Sequence, residues 1–265
     1  MTEQNPPEWQ ASPPQEKIVA EPAQMSEVGT IAGIFIEPGK TFEDLKRKPR
    51  FIIAGILISL LVTAYAFGLA AKIGDTAMRT FIAEQVDKSP RADSMTSEQR
   101  SSAIDLQMTI SKYSRFAVPV FIFISFFIGG LLYWAGAKAF GGTGTFMQNV
   151  AVWVYSGLPP AIVAMICNFI VMGLKSADEI DLINSQRGLL QANPSFFISG
   201  KEMPLLATFL STFDVFAIWG WILAAIGLTY VNRISKASSW AIVIIIILIG
   251  LGFRVIGSLV SGNPA

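Results

Sequence analysis

The chain contains no histidine. That one absence removes Ser-His triads, the serine-histidine dyad of rhomboid-like proteases, His-Glu-x-x-His zinc hydrolysis and haem ligation through histidine. A single cysteine, Cys167, sits in an apolar stretch without an intrachain partner, which excludes an internal disulfide and a cysteine-cluster metal site. Charge is also scarce, at 15% of residues, and the 20 basic and 19 acidic side chains leave a formal net charge of +1. No global field therefore recruits nucleic acid or an acidic partner. What fills the sequence instead is apolar: 52% of its 265 residues are hydrophobic. A soluble domain of this length is not so apolar, and a bilayer is the natural solvent.

Residues 1 to 30 carry Pro6, Pro7, Pro13, Pro14 and Pro22 among Glu, Gln and Ser with no periodicity, and read as a disordered tail. No apolar run follows the start, so a signal peptide is not expected. A short lead-in helix is predicted next, with Thr41 as N-cap, Asp44 three residues on, and Pro49 as terminator. It sets Phe42 and Leu45 on one side and Lys46, Arg47 and Lys48 around the other. That amphipathic pattern predicts a helix lying on the membrane surface, in contact with lipids or a partner protein.

A hydrocarbon core of roughly 30 Å needs about 20 apolar helical residues. That ruler selects 51 to 71, 118 to 140, 150 to 174, 205 to 231 and 240 to 260. The fold class expected is all-α, a polytopic integral membrane protein with five transmembrane helices occupying residues 31 to 265. The connections 72 to 117 and 175 to 204 are long and charged and share one side of the membrane. The first reads as helical, with a capping box at Thr96 to Gln99; the second contains the turn signals Asn193-Pro194 and Ser199-Gly200. Raw totals of Lys and Arg favour neither side. Lys40, Lys46, Arg47, Lys48 and Arg50 nevertheless crowd the flank of the first span, which places the N-terminus in the cytoplasm and the C-terminus outside.

Four features invite a functional reading. The glycines of Gly141 to Phe146 lack the Lys-Ser/Thr and the preceding strand of a phosphate-binding loop, and a tight turn between spans accounts for them. Pro159 and Pro160 remove two backbone donors inside a span; this either frees carbonyls for a substrate, as in broken transporter helices, or makes a kink packed against neighbours. Asp214 is the one acid within a span. It is either an intramembrane polar site, with Arg254 as partner, or an ordinary helix-start residue at the outer interface. An aspartyl intramembrane protease would need two such acids, and Ile73-Gly74-Asp75 does not supply the Gly-x-Gly-Asp context. Gly129, Gly130, Ala135, Gly136 and Ala139 form a small-residue face on the second span for close helix packing. Trp134, Trp153, Trp219, Trp221 and Trp240, with Tyr133 and Tyr230, read as an aromatic belt.

Three stretches, taken in order, resemble the Ypt-interacting-protein (Yip) family of five-span membrane proteins, and its bacterial-type branch in particular. The first runs from Phe35-Ile36-Glu37-Pro38-Gly39-Lys40-Thr41-Phe42 to Lys48-Pro49. The second joins Gly141-Gly142-Thr143-Gly144-Thr145-Phe146 to Trp153-Val154-Tyr155-Ser156-Gly157-Leu158-Pro159-Pro160. The third is Phe213-Asp214-Val215-Phe216-Ala217-Ile218-Trp219, continuing to Ser235-Lys236-Ala237. Where eukaryotic members carry an Asp-Leu-aromatic-Gly-Pro motif, this chain reads Ile36-Glu37-Pro38-Gly39. The resemblance implies a non-enzymatic protein of the bacterial inner membrane, without catalytic residues, cofactor or metal. Its implied role is membrane organisation or a trafficking-type scaffold that meets lipids and a membrane protein partner or a second copy of itself. The alternative from the residues is a small-molecule or ion transporter or channel using Asp214 and the Pro159-Pro160 break.

Overall fold

A computed structural model describes residues 22–89, 91–182, 188–200, 202–261 and 264. Among the described residues eight α-helices follow in order: α1 (Glu27–Ile36), α2 (Pro38–Arg47), α3 (Ile52–Asp87), α4 (Ser97–Ala139), α5 (Phe146–Leu174), α6 (Pro204–Leu210), α7 (Val215–Asn232) and α8 (Lys236–Ser261). No strand occurs among the described residues. Five of the helices, α3, α4, α5, α7 and α8, are long and apolar enough to cross a membrane, and the chain is an all-α polytopic membrane protein. The α4–α5 and α7–α8 turns mark one end of the bundle, called here the near end. The connections after α3 and after α5 mark the far end.

α5 is the central post. Its Val150, Ala151, Val152, Val154, Tyr155 and Leu158 are buried together, against Ile58 of α3, Phe126 of α4 and Leu228 of α7. A helix apolar all round is what such a central position requires. α4 crosses it closely because Gly129 and Gly130 have no side chain: a Cβ on Gly129 would meet the Trp153 ring at 2.0 Å, and one on Gly130 would meet the Val150 backbone at 2.7 Å. The small-residue face thus packs within the chain, with Gly136 set against Ile242 of α8 in the same way.

The expected tail and lead-in differ from the structure. Residues 1–21 lie outside the described residues, but Glu27 to Thr30 are already helical. Ser26 caps α1 by accepting a hydrogen bond from the Gly29 N–H at 3.0 Å, and Thr30 and Ile34, one turn apart, are buried. α2 begins at Pro38 and not after Thr41, because proline's fixed φ suits the first helical position and its missing donor costs nothing there. The Thr41 hydroxyl donates to the Glu37 carbonyl at 3.1 Å inside the helix, and Asp44 serves a buried ion pair, described below.

α3 and α4 run well past the expected spans as one antiparallel hairpin, of 36 and 43 residues. The Thr96–Gln99 capping box starts α4 as predicted: the Gln99 N–H donates to Thr96 Oγ1 at 3.2 Å and the Thr96 N–H to Gln99 Oε1 at 2.9 Å. Beyond Gly74, whose φ of 76° and ψ of 164° break α3, the two helices form an arm of their own. Ile82, Val86 and Ile104 make its small core, and Arg79–Asp105 at 2.6 Å and Arg100–Asp87 tie its surface.

The expected span 205 to 231 divides into α6 and α7. Asp214 stands at the junction as N-cap of α7, accepting from the Phe216 N–H at 2.9 Å, so the membrane-crossing part starts at Val215. α5, by contrast, stays one helix through Pro159 and Pro160. Both prolines are buried, and Gly220 of α7 comes alongside, where an added Cβ would lie 3.5 Å from the Ser156 carbonyl and 3.6 Å from Pro160. Glycine on the neighbouring helix lets backbone approach the region where the prolines remove donors.

Candidate functional site

At the near end, the predicted membrane-surface residues divide into two groups. Phe42 and Leu45 are fully buried, at 0% exposure, with Phe42 filling the space beside Gly227 of α7, so neither reaches lipid. The apolar face of α2 packs on the protein itself, so Phe42 and Leu45 are not the lipid- or partner-facing residues expected from the amphipathic pattern. Lys46 and Arg47 are half-buried and Lys48 is exposed. The Lys46 carbonyl accepts from Gln148 Nε2 at 2.6 Å, and its ammonium donates to the Tyr230 carbonyl at 3.4 Å. Partial burial, and secondarily the neighbouring Arg233 charge, hold Lys46 below the ordinary lysine pKa, with Glu43 opposing them.

Two polar clusters here escaped sequence reading. Asp44 and Arg50 form a buried ion pair. Asp44 Oδ1 also accepts from the Gln24 and Met25 N–H groups at 2.5 and 3.2 Å, and Arg50 Nη1 donates to the Met25 carbonyl at 2.5 Å. The pair thereby clamps the segment before α1. The second cluster is the amide pair Asn149–Asn232, joining α5 to α7, with Asn149 also donating to the Thr145 carbonyl at 2.9 Å. The only sequence signal was an Asp or Asn at the edge of an apolar run, which surface residues share.

At the far end the structure brings Asp214 and Arg254 to one cavity of about 540 Å³ between α5, α7, α8 and the segment 188–200. Its rim is polar. Asn193 donates to Asp214 Oδ2 at 3.3 Å, and Arg254 donates to Thr212 Oγ1 at 2.7 Å and to Ser211 Oγ at 2.5 Å. Asn168 fixes one wall: it accepts from the Leu190 N–H at 3.0 Å, and Gly188 lies so close that a Cβ would stand 2.7 Å from its Oδ1. Tyr65 of α3 accepts from the Leu189 N–H at 3.1 Å, so the loop is pinned to two spans. The cavity floor is apolar and aromatic, formed by Tyr133, Trp153, Trp221, Val243, Ile246 and Ile247.

Tyr133, buried, and Trp153, half-buried, pack against each other on this floor with ring centroids 4.9 Å apart. Pro159 and Pro160 are not among the residues around the cavity, so the proline pair and Asp214 do not line a common cavity. Asn168, in the middle of a charge-free apolar run, was the one sequence signal for the wall. Among the described residues no group of three or more His, Cys, Asp or Glu could hold a metal ion.

A polytopic helical bundle with a lead-in pair of helices, a glycine-rich turn before a double-proline span and a capped fourth span defines an integral membrane protein class, which comparison with known proteins specifies. The family model of the Yip1 domain matches residues 32–258, and the chain belongs to the Yip1 family. It is 26% identical over 248 residues to membrane protein YknW of Bacillus subtilis (strain 168), a match covering 89% of this chain and 91% of that protein. No solved structure matches it significantly.

Proposed function

We propose that this Yip1-family protein is a non-enzymatic scaffold of a bacterial inner membrane that binds a membrane protein partner through the α3–α4 arm. In this reading the N-terminus and near end face the cytoplasm. Basic residues crowd the lead-in to the first span there, and the exposed Lys48 would meet anionic headgroups. The arm then stands on the external side.

The observation that carries the reading is the construction of the arm. An extension with its own apolar cluster and two ion pairs beyond the spans is more than a connection needs, and α4 leaves Leu106 and Ile110 on it 60% and 56% exposed. Exposed apolar residues on a built element suit a docking surface. The absence of histidine supports the non-enzymatic half. Purification of the tagged full chain from native membranes in mild detergent tests the proposal. A stoichiometric membrane protein should accompany it and be lost from the Leu106→Glu/Ile110→Glu variant at equal expression. Repeated recovery of the bare protein would contradict it.

A further inference from the structure

We propose that the far-end segment between α5 and α7 is re-entrant: it dips into the far leaflet and returns through α6, whose outer face packs on acyl chains. Three contacts set its depth. The Leu189 N–H donates to Tyr65 Oη at 3.1 Å. Tyr65 lies 13 residues past Ile52, where α3 starts at the near end, a rise of about 20 Å that leaves about 10 Å of a 30 Å hydrocarbon core. The Leu190 N–H donates to Asn168 Oδ1 at 3.0 Å, and Asn168 stands about 9 Å along α5 before its last residue, Leu174. At the end of α6, Ser211 and Thr212 accept from Arg254 of α8 at 2.5 and 2.7 Å. Trp240 to Val260 of α8 covers about 30 Å, the thickness of the core, and Arg254 stands about 9 Å before Val260. Three spans thus place the two limbs of the segment at one depth, about 9 Å below the far surface.

Irregular backbone is tolerated at that depth only where protein or a cavity satisfies it. Gly188, Leu190, Gln191 and Asn193 line the far-end cavity, and the Ala192 carbonyl accepts from the Val215 N–H at 3.1 Å. The hydroxyls of the returning limb bond within it: Thr208 donates to the Pro204 carbonyl at 2.8 Å, and Ser211 and Thr212 donate to the Thr208 carbonyl at 3.0 and 3.2 Å. From Pro204 to Ser211 the rise is about 10 Å, which returns the chain to the far surface at the exposed Glu202.

α6 is two-faced in the sense this seat requires. Ala207 and Thr208 are buried, whereas Leu205, Leu206 and Phe209 point outward with 42–44% of their surface exposed. The turn 194–197 packs beside α6 and adds Phe196 and Phe197, 63% and 84% exposed. An apolar patch of this kind marks a contact surface. Its occupant is lipid, because α6 packs along α8 at the level where Phe253, Ile256 and Leu259 of that span are themselves outward and apolar. The inference holds for either orientation of the chain across the membrane.

The test is spin-label accessibility in phosphatidylcholine nanodiscs, with the full chain carrying Cys167→Ser and one cysteine at Leu206 or Phe209. Labels at Phe121, on the lipid-facing part of α4, and at Glu98, on the arm, serve as lipid and water references. At Leu206 and Phe209 the ratio of collisions with oxygen to collisions with polar nickel-EDDA should match Phe121 and exceed Glu98 at least tenfold, since a polar reagent is excluded from hydrocarbon. Ratios equal to that at Glu98 would overturn the re-entrant seat. The unaltered protein gives a second reading: phosphatidylcholine bearing a mid-chain diazirine should label the peptide 204–213 as strongly as that containing Phe121. Labelling of the Phe121 peptide alone would place α6 in water and overturn the inference even if a labelled variant does not fold.

Discussion

Asn149 of α5 and Asn232 at the end of α7 hold each other by two reciprocal amide hydrogen bonds, 3.1 and 2.9 Å long, with both residues fully buried. The Thr143 N–H donates to the Asn232 carbonyl at 3.0 Å, and Gly144 passes so close that a Cβ would lie 2.3 Å from Asn232 Oδ1. The glycine-rich turn is thus shaped around a polar lock between two spans, which explains its composition without any phosphate.

Removing Asn232 leaves the buried Asn149 amide oxygen without its donor. Asn232→Ala is expected to destabilise the bundle by about 1–3 kcal/mol, the cost of an unsatisfied buried polar group. Gly144→Ala should do so too, by forcing the turn off Asn232. Unfolding in detergent, followed by circular dichroism, checks both; variants as stable as the unaltered protein would contradict the lock.

The Asp44–Arg50 pair gives a second prediction. Arg50→Met leaves the Asp44 carboxylate buried beside Phe42 and Leu45, and the expected loss is about 3–5 kcal/mol. The double variant Asp44→Leu/Arg50→Met removes both charges and should recover part of that loss. The segment at Gln24 and Met25 should still come free, since its hydrogen bonds to the pair are gone. Limited proteolysis before Ser26 reads the release, and the unfolding curve reads the recovery.

Gly74 supplies the third. Its φ of 76° with ψ of 164° is a conformation open in practice to glycine alone, although no neighbour lies within 4 Å of an added Cβ. Gly74→Ala should therefore re-angle the arm, at a local cost of about 1–3 kcal/mol, without clashing. Distances between spin labels on the arm, near Glu98, and on the α4–α5 turn should shift. An unchanged distance distribution would show that the break does not set the arm's direction.

Much of this architecture was legible in the sequence, because a hydrocarbon solvent writes strong signals. Long apolar runs marked the spans, free of charge in α3 and α5 and with a single basic residue each, Lys138 and Arg254, in α4 and α8, and the Thr96–Gln99 box marked the start of the arm's second helix. What was not legible depended on partners far away in sequence. Phe42 and Leu45 look the same whether their face meets lipid or α7, and only Gly227, nearly two hundred positions later, decides it. At Asp214 the helix-start alternative is the one the structure shows, as N-cap of α7, although the separate short helix α6 before it was not legible from apolar composition. Asp214 and Arg254 were singled out on charge alone; the cavity that gathers them needed Asn168, Asn193, Ser211 and Thr212, whose polarity is unremarkable until α5, α7 and α8 are assembled.

The proposed scaffold role rests on the arm, and photo-crosslinking in native membranes tests it most directly. A photoreactive amino acid at Ile110 should yield one discrete crosslinked product with a membrane protein, whereas the same group at Phe121, 64% exposed on the lipid-facing part of α4, should yield only lipid adducts. Lipid adducts alone at both positions would contradict a partner on the arm.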